Sequence, residues 1–212
     1  MAFSEYKDYM ASELEVFFNI KICEHEDLFT NFKSSGKNYA PLQEDVKDML
    51  SRIKISKSDN EATRSSLLVS HVLWKACKVY KLGIFFEPVL EINQEKTPNL
   101  PHQLNGKYDG ALTLDIRDFV HPIVSVVEVK KSSLSDGLGQ CLAEMYATLK
   151  KFGQDRVYGI ITDGVEWEFL LLEEAILSID GDVYSIRTVS DIVDRVGYIA
   201  EKFREGFEVV HT

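Results

Sequence analysis

His121-Pro-Ile-Val-Ser-Val-Val-Glu-Val-Lys130 is the stretch on which the reading of this chain turns. Its Val- and Ile-rich run reads as a β-strand. Alternate side chains of a strand share a face, so Val126, Glu128 and Lys130 point one way and Val127 and Val129 the other. A carboxylate and an ammonium on one side of an apolar strand are costly if buried. If exposed, they make an ordinary half-polar strand.

Working outward, residues 107–116 (KYDGALTLDI) read as the preceding strand, and residues 84–92 (IFFEPVLEI) as the one before it, with Pro88 marking an edge or a bulge. On the 107–116 strand Lys107, Asp109, Ala111 and Thr113 share a face. Aspartate is disfavoured within strands, so Asp109 either marks a bend at Tyr108-Asp109-Gly110 or has a chemical task. After the central strand, a helix is expected over 137–152, capped by Asp136, with Leu138, Cys141, Leu142, Met145 and Leu149 inward. Strands 157–162 and 165–173 flank Asp163-Gly164, a hairpin signal. A short strand near 183–186 and a helix near 189–203 complete this half.

Upstream, apolar spacing predicts a helix over 5–18 (Tyr6, Tyr9, Met10, Leu14, Phe17, Phe18), a loop over 33–40, and a helix opened by Pro41 with Leu42, Val46, Met49, Leu50 and Ile53 on one side. A third helix is expected over 61–80, burying Leu67, Leu68, Val72 and Val79, with Ser58 and Glu61 at capping-box spacing. Strands in runs interrupted by a crossover helix give the fold class: α/β (α+β), a mixed central β-sheet flanked by helices. Residues 1–57 form a helical N-terminal extension packed on a core of residues 58–212, one domain overall.

The chain has 212 residues and 24.2 kDa, with 45% hydrophobic and 27% charged residues, enough to bury a core without staples. Cys23, Cys77 and Cys141 lie far apart with no CxxC pair, which argues against a disulfide framework and a structural zinc site and favours a reducing compartment. No apolar run reaches the roughly 18 residues that span a bilayer, and the N-terminus is unlike a secretory signal, so a cytoplasmic protein with no membrane partner is expected. Net charge is −10, but from Asp163 onward twelve acidic residues face four basic ones. The first 162 residues are therefore near neutral, which leaves room for a local positive groove. Lys54, Lys57, Lys107, Lys131, Lys150, Lys151 and Arg156 are candidates to line it, with Tyr146 or Trp74 stacking on bases; a solvated mixed-charge surface is the competing reading. Trp167 reads as core. His102 is a weak candidate for the site, and CEHE at 23–26 is a metal-site fragment without a partner. No GxxxxGK, GxGxxG, GxSxG or HExxH pattern occurs, which disfavours nucleotide-driven motors, acyl hydrolases and zincins.

Asp109 and Glu128 on neighbouring strands form a carboxylate pair whose repulsion a hard divalent cation relieves. Lys130 beside them can orient water or stabilise the charge of a pentacoordinate phosphate. Asp109 followed, after eighteen intervening residues, by Glu128-Val129-Lys130 resembles the D…(D/E)xK signature of the PD-(D/E)XK, or restriction-endonuclease-like, nuclease superfamily. The resemblance spans about residues 58–172 and includes the order helix–β–β–β–helix–β; Tyr108 stands in place of the name-giving proline. It implies that Asp109, Glu128 and the Val129 backbone carbonyl bind Mg²⁺, with Mn²⁺ able to substitute, and that Lys130 is the catalytic lysine. It also implies an acidic residue on the first helix, here Glu61, whose competing role is the capping box, and a glutamine on the helix after the third strand. Gln140 is favoured for that place over Glu144 one turn on, which otherwise reads as solvated. The implied activity is a metal-dependent endonuclease acting on DNA in preference to RNA, as a homodimer or with a partner that supplies sequence specificity. The alternative is a nuclease-fold module without turnover that binds nucleic acid or a protein in a restriction, mobile-element or repair system.

Overall fold

The computed structural model describes residues 2–55, 59–92, 100–131 and 133–210. A 3-10 turn (Ala2–Tyr6) precedes helix α1 (Ala11–Phe18) and strand β1 (Lys21–Glu26). Helix α2 (Ala40–Ile55) is followed by α3 (Glu61–Arg64), a π-helical turn (Ser65–Val69) and α4 (Ser70–Tyr80). Then come β2 (Gly83–Phe86), β3 (Val89–Glu91), β4 (Asn105–Lys107), β5 (Gly110–Thr113) and β6 (Ile123–Val129). A 3-10 turn (Leu134–Gly137) leads into α5 (Leu138–Phe152), β7 (Arg156–Thr162), β8 (Glu166–Glu173), β9 (Ile176–Asp180) and β10 (Tyr184–Ser185). A last 3-10 turn (Ile186–Thr188) opens α6 (Val189–Val210). None of these helices is long and apolar enough to cross a membrane.

The main sheet runs β1-β9-β8-β7-β6-β5-β2, with β10 paired to β8, and β3 and β4 form a separate two-stranded sheet. It is mixed: β6 and β7 are parallel, joined by the α5 crossover, and β1 is parallel to β9, while the remaining pairs are antiparallel. Helices cover both faces. Val127 and Val129 pack with α2, α4 and α6 on one side, and Val126 packs with α5 and the N-terminal segment on the other. All of β6 is buried, as a central strand between two helical layers must be.

Several local expectations change. The 5–18 segment is not one helix: Tyr6, Leu14 and Phe18 are buried, but Met10 is extended and 67% exposed, and α1 restarts there with the Met10 N–H donating to Glu13 Oε2 at 2.8 Å. The 61–80 helix contains a π turn, whose extra residue advances the buried face, so Leu68 and Val69 point inward and Leu67 is 42% exposed. Asn60 caps its start by accepting from the Thr63 N–H (2.9 Å); Ser58 lies outside the described residues. Asp136 sits inside the 3-10 turn, and Gly137 holds the N-cap position of α5.

The strands expected over 84–92 and 107–116 both break. Glu87 adopts a left-handed conformation (φ 51°) before Pro88, which lacks an amide for a ladder, so β3 and β4 peel away as their own sheet. Asp109 therefore lies in the bend between β4 and β5, and the single face assigned to Lys107, Asp109, Ala111 and Thr113 is not a continuous one. Strands β1 and β9 had no clear sequence signal. Lys-Ile-Cys-Glu-His-Glu lacks apolar alternation because β1 is an edge strand with one neighbour, β9. The first 57 residues thus supply a sheet strand as well as helices.

Candidate active site

The site forms where β6 ends. The Lys130 N–H donates to the Thr162 carbonyl of β7 at 2.8 Å, extending the parallel pairing just past the last strand residue. The bend before β5 brings Asp109 alongside, and its Oδ2 accepts the Val129 N–H at 2.7 Å. The Val129 amide is thus already engaged by the aspartate that the bend delivers. Glu128 is 1% exposed and points toward α5. The Lys130 ammonium contacts Glu128 Oε1 and donates to Gln140 Oε1 at 3.1 Å. Gln140 Nε2 donates to Glu128 Oε2 at 2.8 Å and to Glu144 Oε1 at 3.1 Å. One amide therefore fixes the lysine and the glutamate relative to each other. Gly137 closes the cluster, since a Cβ there would lie 2.7 Å from Ile161, 3.4 Å from Lys130 Cγ and 3.6 Å from Glu128 Cγ.

The electrostatics follow from this enclosure. Burial, with the Asp109 charge adding to it, pushes the Glu128 carboxyl up to about 7; Lys130 opposes the rise. Burial also raises Asp109 against the pull of the Val129 amide, and the Glu61 and Glu87 charges raise it further. Burial works to lower the Lys130 ammonium, but Glu128, Glu61 and Asp109 outweigh it, so the lysine stays charged. Glu144 is fully buried, its Oε2 accepts no donor, and burial plus the neighbouring Glu128 hold its carboxyl well above the usual range. Its carboxyl is therefore biased toward the neutral, protonated form.

Asp109, Glu128, Lys130 and Gln140 are thus brought together. Glu61 opens α3 from an exposed position and reaches Asp109 and Lys130 through its charge. His102 is engaged elsewhere, by Tyr9 (2.9 Å) and Glu5 (3.6 Å). The core basic residues do not converge on one groove: Lys107 pairs with Glu87, Lys151 donates to the Glu91 carbonyl, Arg156 donates to the Lys202 carbonyl and Lys150 lies over the Tyr146 ring. Trp167 is buried and Trp74 is 61% exposed. Lys57 lies outside the described residues. Sequence reading undervalued Glu144, although a lone acid within Leu138-Gly-Gln-Cys-Leu-Ala-Glu-Met-Tyr-Ala carried the signal of a buried one. Gln140 and Glu144, four apart, share a helix face, so the choice between them was unnecessary.

The donor set fits a hard divalent cation. The Asp109 charge makes Glu128 hold its proton more tightly, the Glu61 and Glu87 charges do the same to Asp109, and an added positive charge relieves that cost. Among the described residues no three His, Cys, Asp or Glu side chains converge to enclose an ion. Any such ion would keep coordinated water and accept phosphate oxygens, the habit of magnesium. No protein-family model matches this chain, and no curated protein matches its sequence.

Proposed function

We propose that this protein is a metal-dependent phosphodiesterase of the PD-(D/E)XK type, an endonuclease acting on nucleic acid, with DNA the preferred substrate. The observation that carries this reading is the contact of the Lys130 ammonium with both Glu128 and Gln140 on the face that the Asp109 carboxylate approaches. Asp109 and Glu128 would hold a Mg²⁺ or Mn²⁺ ion, with the Val129 carbonyl as a third donor by resemblance. Bound there, the ion supplies Lewis-acid polarisation of the phosphate and lowers the pKa of its water.

The chain's own residues do the rest. Lys130, held charged, sits where negative charge grows as a phosphate becomes pentacoordinate, and its ammonium can orient the attacking water. Gln140 restrains the Lys130 and Glu128 side chains, so little reorganisation accompanies reaction. Glu144 fixes Gln140 from below and adds no charge, since it retains its proton. The test is cleavage of single-stranded, linear duplex and supercoiled DNA, and of RNA, with Mg²⁺ and with Mn²⁺. The expected result is metal-dependent cleavage lost in Lys130→Ala and Asp109→Asn; equal background in wild type and Lys130→Ala would end the enzymatic reading.

The non-catalytic alternative has one observation in its favour. Both Glu128 oxygens are already engaged, and the residue is almost sealed from solvent. A protein of that kind would show no cleavage and no stabilisation by divalent ions.

A further inference from the structure

The chain's net charge is −10, yet one cleft is lined by three cations and no carboxylate. It is a cavity of about 370 Å³ between α2 and the Ile186–Thr188 turn, formed by Gln43, Lys47, Leu50, Ser51, Lys54 and Arg187. The five α2 residues fall at successive turns of one helix face. Lys47 and Lys54, seven residues apart, are separated by about 10 Å along the axis, the length of about three phosphates on one strand of a duplex. Gln43 fixes the opposite wall, since its Oε1 accepts the Val189 N–H at 3.1 Å and its Nε2 donates to the Ile186 carbonyl at 3.4 Å. Of the three acids of α2, Asp48 pairs with Arg52, Asp45 faces His71, and Glu44 is not among the residues that line the cleft. Among the described residues Lys47, Lys54 and Arg187 have no ion-pair partner.

A second cavity, about 410 Å³ against α6, is different. It also holds three lysines, Lys33, Lys37 and Lys202, but Asp194, Glu201 and Glu205 line it with them.

The α2 cleft is tied to the candidate active site. Ser185, two residues before Arg187, pairs with Glu166, and the Ile186 N–H donates to the Val165 carbonyl at 2.7 Å. The adjoining Asp163 turn is gripped by Arg64, one helical turn after Glu61. That turn directly follows Thr162, whose carbonyl accepts the Lys130 N–H. The cleft and the carboxylates therefore occupy the same end of the sheet.

We propose that the α2–Arg187 cleft is the track for the sugar-phosphate backbone of the nucleic acid, gripping phosphates beyond the reacting one through Lys47, Lys54 and Arg187. This rests on the nuclease reading for its ligand class, but its test is binding rather than turnover. Fluorescein-labelled oligodeoxynucleotides, single-stranded and duplex, are titrated with the full chain in EDTA across a salt series, and anisotropy is read. Lys47→Ala/Lys54→Ala/Arg187→Ala is compared with Lys33→Ala/Lys37→Ala/Lys202→Ala, which removes the same charge from the mixed cavity.

The cleft variant is expected to bind at least about tenfold more weakly and to lose about 2 units of the log–log salt slope on single strands, the loss expected for three phosphate contacts. The mixed-cavity variant should keep the wild-type slope. Equal loss in both variants would mean bulk charge alone and would overturn the proposal, as would wild-type binding by the cleft variant or no binding by the wild type. Equally tight, cleft-dependent binding of charge-matched polyglutamate would overturn it in favour of an acidic protein partner. Cleft-dependent DNA binding without metal-dependent cleavage would sink the enzymatic reading and leave the cleft standing; cleavage lost in Lys130→Ala with cleft-independent binding would do the reverse.

Discussion

Glu128 offers a test of the site that does not depend on finding its substrate. In metal-free buffer its carboxyl is raised from 4.5 to about 7 by burial and by Asp109. The folded protein therefore holds a proton that the unfolded chain has already released between those two values. Stability from this group is fully present below the unfolded value and is lost as the pH rises through the folded one. The difference in pKa corresponds to a loss on the order of 3 kcal/mol across that window. Glu144, raised in the same direction, adds a loss of the same sign that wild type and a Glu128 variant share, so it is removed by comparing the two.

The perturbation is Glu128→Gln, studied by thermal unfolding in EDTA from about pH 5 to about pH 8. The variant also loses the contact with Lys130, a penalty common to both ends of the range that cancels in the comparison. For a chain of this size the difference in Tm between variant and wild type should move by about 6–12 °C in the variant's favour as the pH rises. Adding millimolar Mg²⁺ at the alkaline end should then stabilise the wild type, by about 2.7 kcal/mol at a hundredfold excess over Kd, and leave Glu128→Gln unmoved. Parallel wild-type and variant curves would refute the electrostatic picture of the site, and equal Mg²⁺ stabilisation of both would refute the metal assignment.

Gln140→Leu removes the clamp between Lys130, Glu128 and Glu144 while keeping side-chain volume; metal affinity or cleavage should fall about 10–100-fold, measured by calorimetric titration and by initial rates. Gly139→Ala places a Cβ about 2.1 Å from the Tyr6 carbonyl oxygen, so the N-terminal segment must move, at a cost of about 1–3 kcal/mol; limited proteolysis should then release the first residues while the sheet stays protected. Asp194 is 3% exposed and accepts from the Ser34, Ser35, Tyr39 and Tyr80 hydroxyls and the Ser35 amide. Burial would raise its carboxyl, but these donors outweigh burial and hold it below the ordinary range. Asp194→Asn turns an amide N–H₂ toward donors and should cost about 3–5 kcal/mol near neutrality. That difference should shrink as the pH falls below the unfolded carboxyl value of about 3.9, read by urea unfolding across pH.

What the sequence made legible was whatever its own periodicity enforces. A central strand buried on both faces must be continuously apolar, so β6 stood out, and with it the opposite facing of Glu128 and Val129. The crossover helix was equally clear because Cys141, Leu142 and Met145 keep helical spacing. The rest depended on long-range partners. Strand β1 owes its form to β9, some 150 residues away, and its polar composition gives no hint of the pairing. The bend at Asp109 comes from Glu87 and Pro88 sending β3 and β4 into a second sheet, a tertiary event invisible in residues 107–116 alone. The site was legible as a set of residue types, Asp109, Glu128, Lys130 and Gln140, but the sharing of Gln140 between Lys130 and two glutamates was not. The Asp194 network was missed altogether, since its donors lie about 110 to 160 residues upstream.

The charges around the site lead to one more consequence. Without a cation, Asp109, Glu61 and Glu87 outnumber the ammoniums beside them, Lys130 and the Lys107 that pairs with Glu87, so the site repels a phosphodiester. The α2 cleft carries no acid and attracts one. Binding should therefore have two separable parts: a salt-sensitive, metal-independent part from the cleft, and a metal-dependent part that appears only when a divalent ion reverses the sign at the carboxylates. Ca²⁺, an oxygen-seeking ion with looser geometry than Mg²⁺, can supply the charge without the octahedral demands of catalysis. In the anisotropy assay Ca²⁺ should tighten DNA binding by the wild type and by the cleft variant by the same factor, and leave Asp109→Asn/Glu128→Gln unchanged. A Ca²⁺ response that vanished with the cleft lysines would mean that the ion acts on the DNA or elsewhere on the surface, and that the two carboxylates do not hold it.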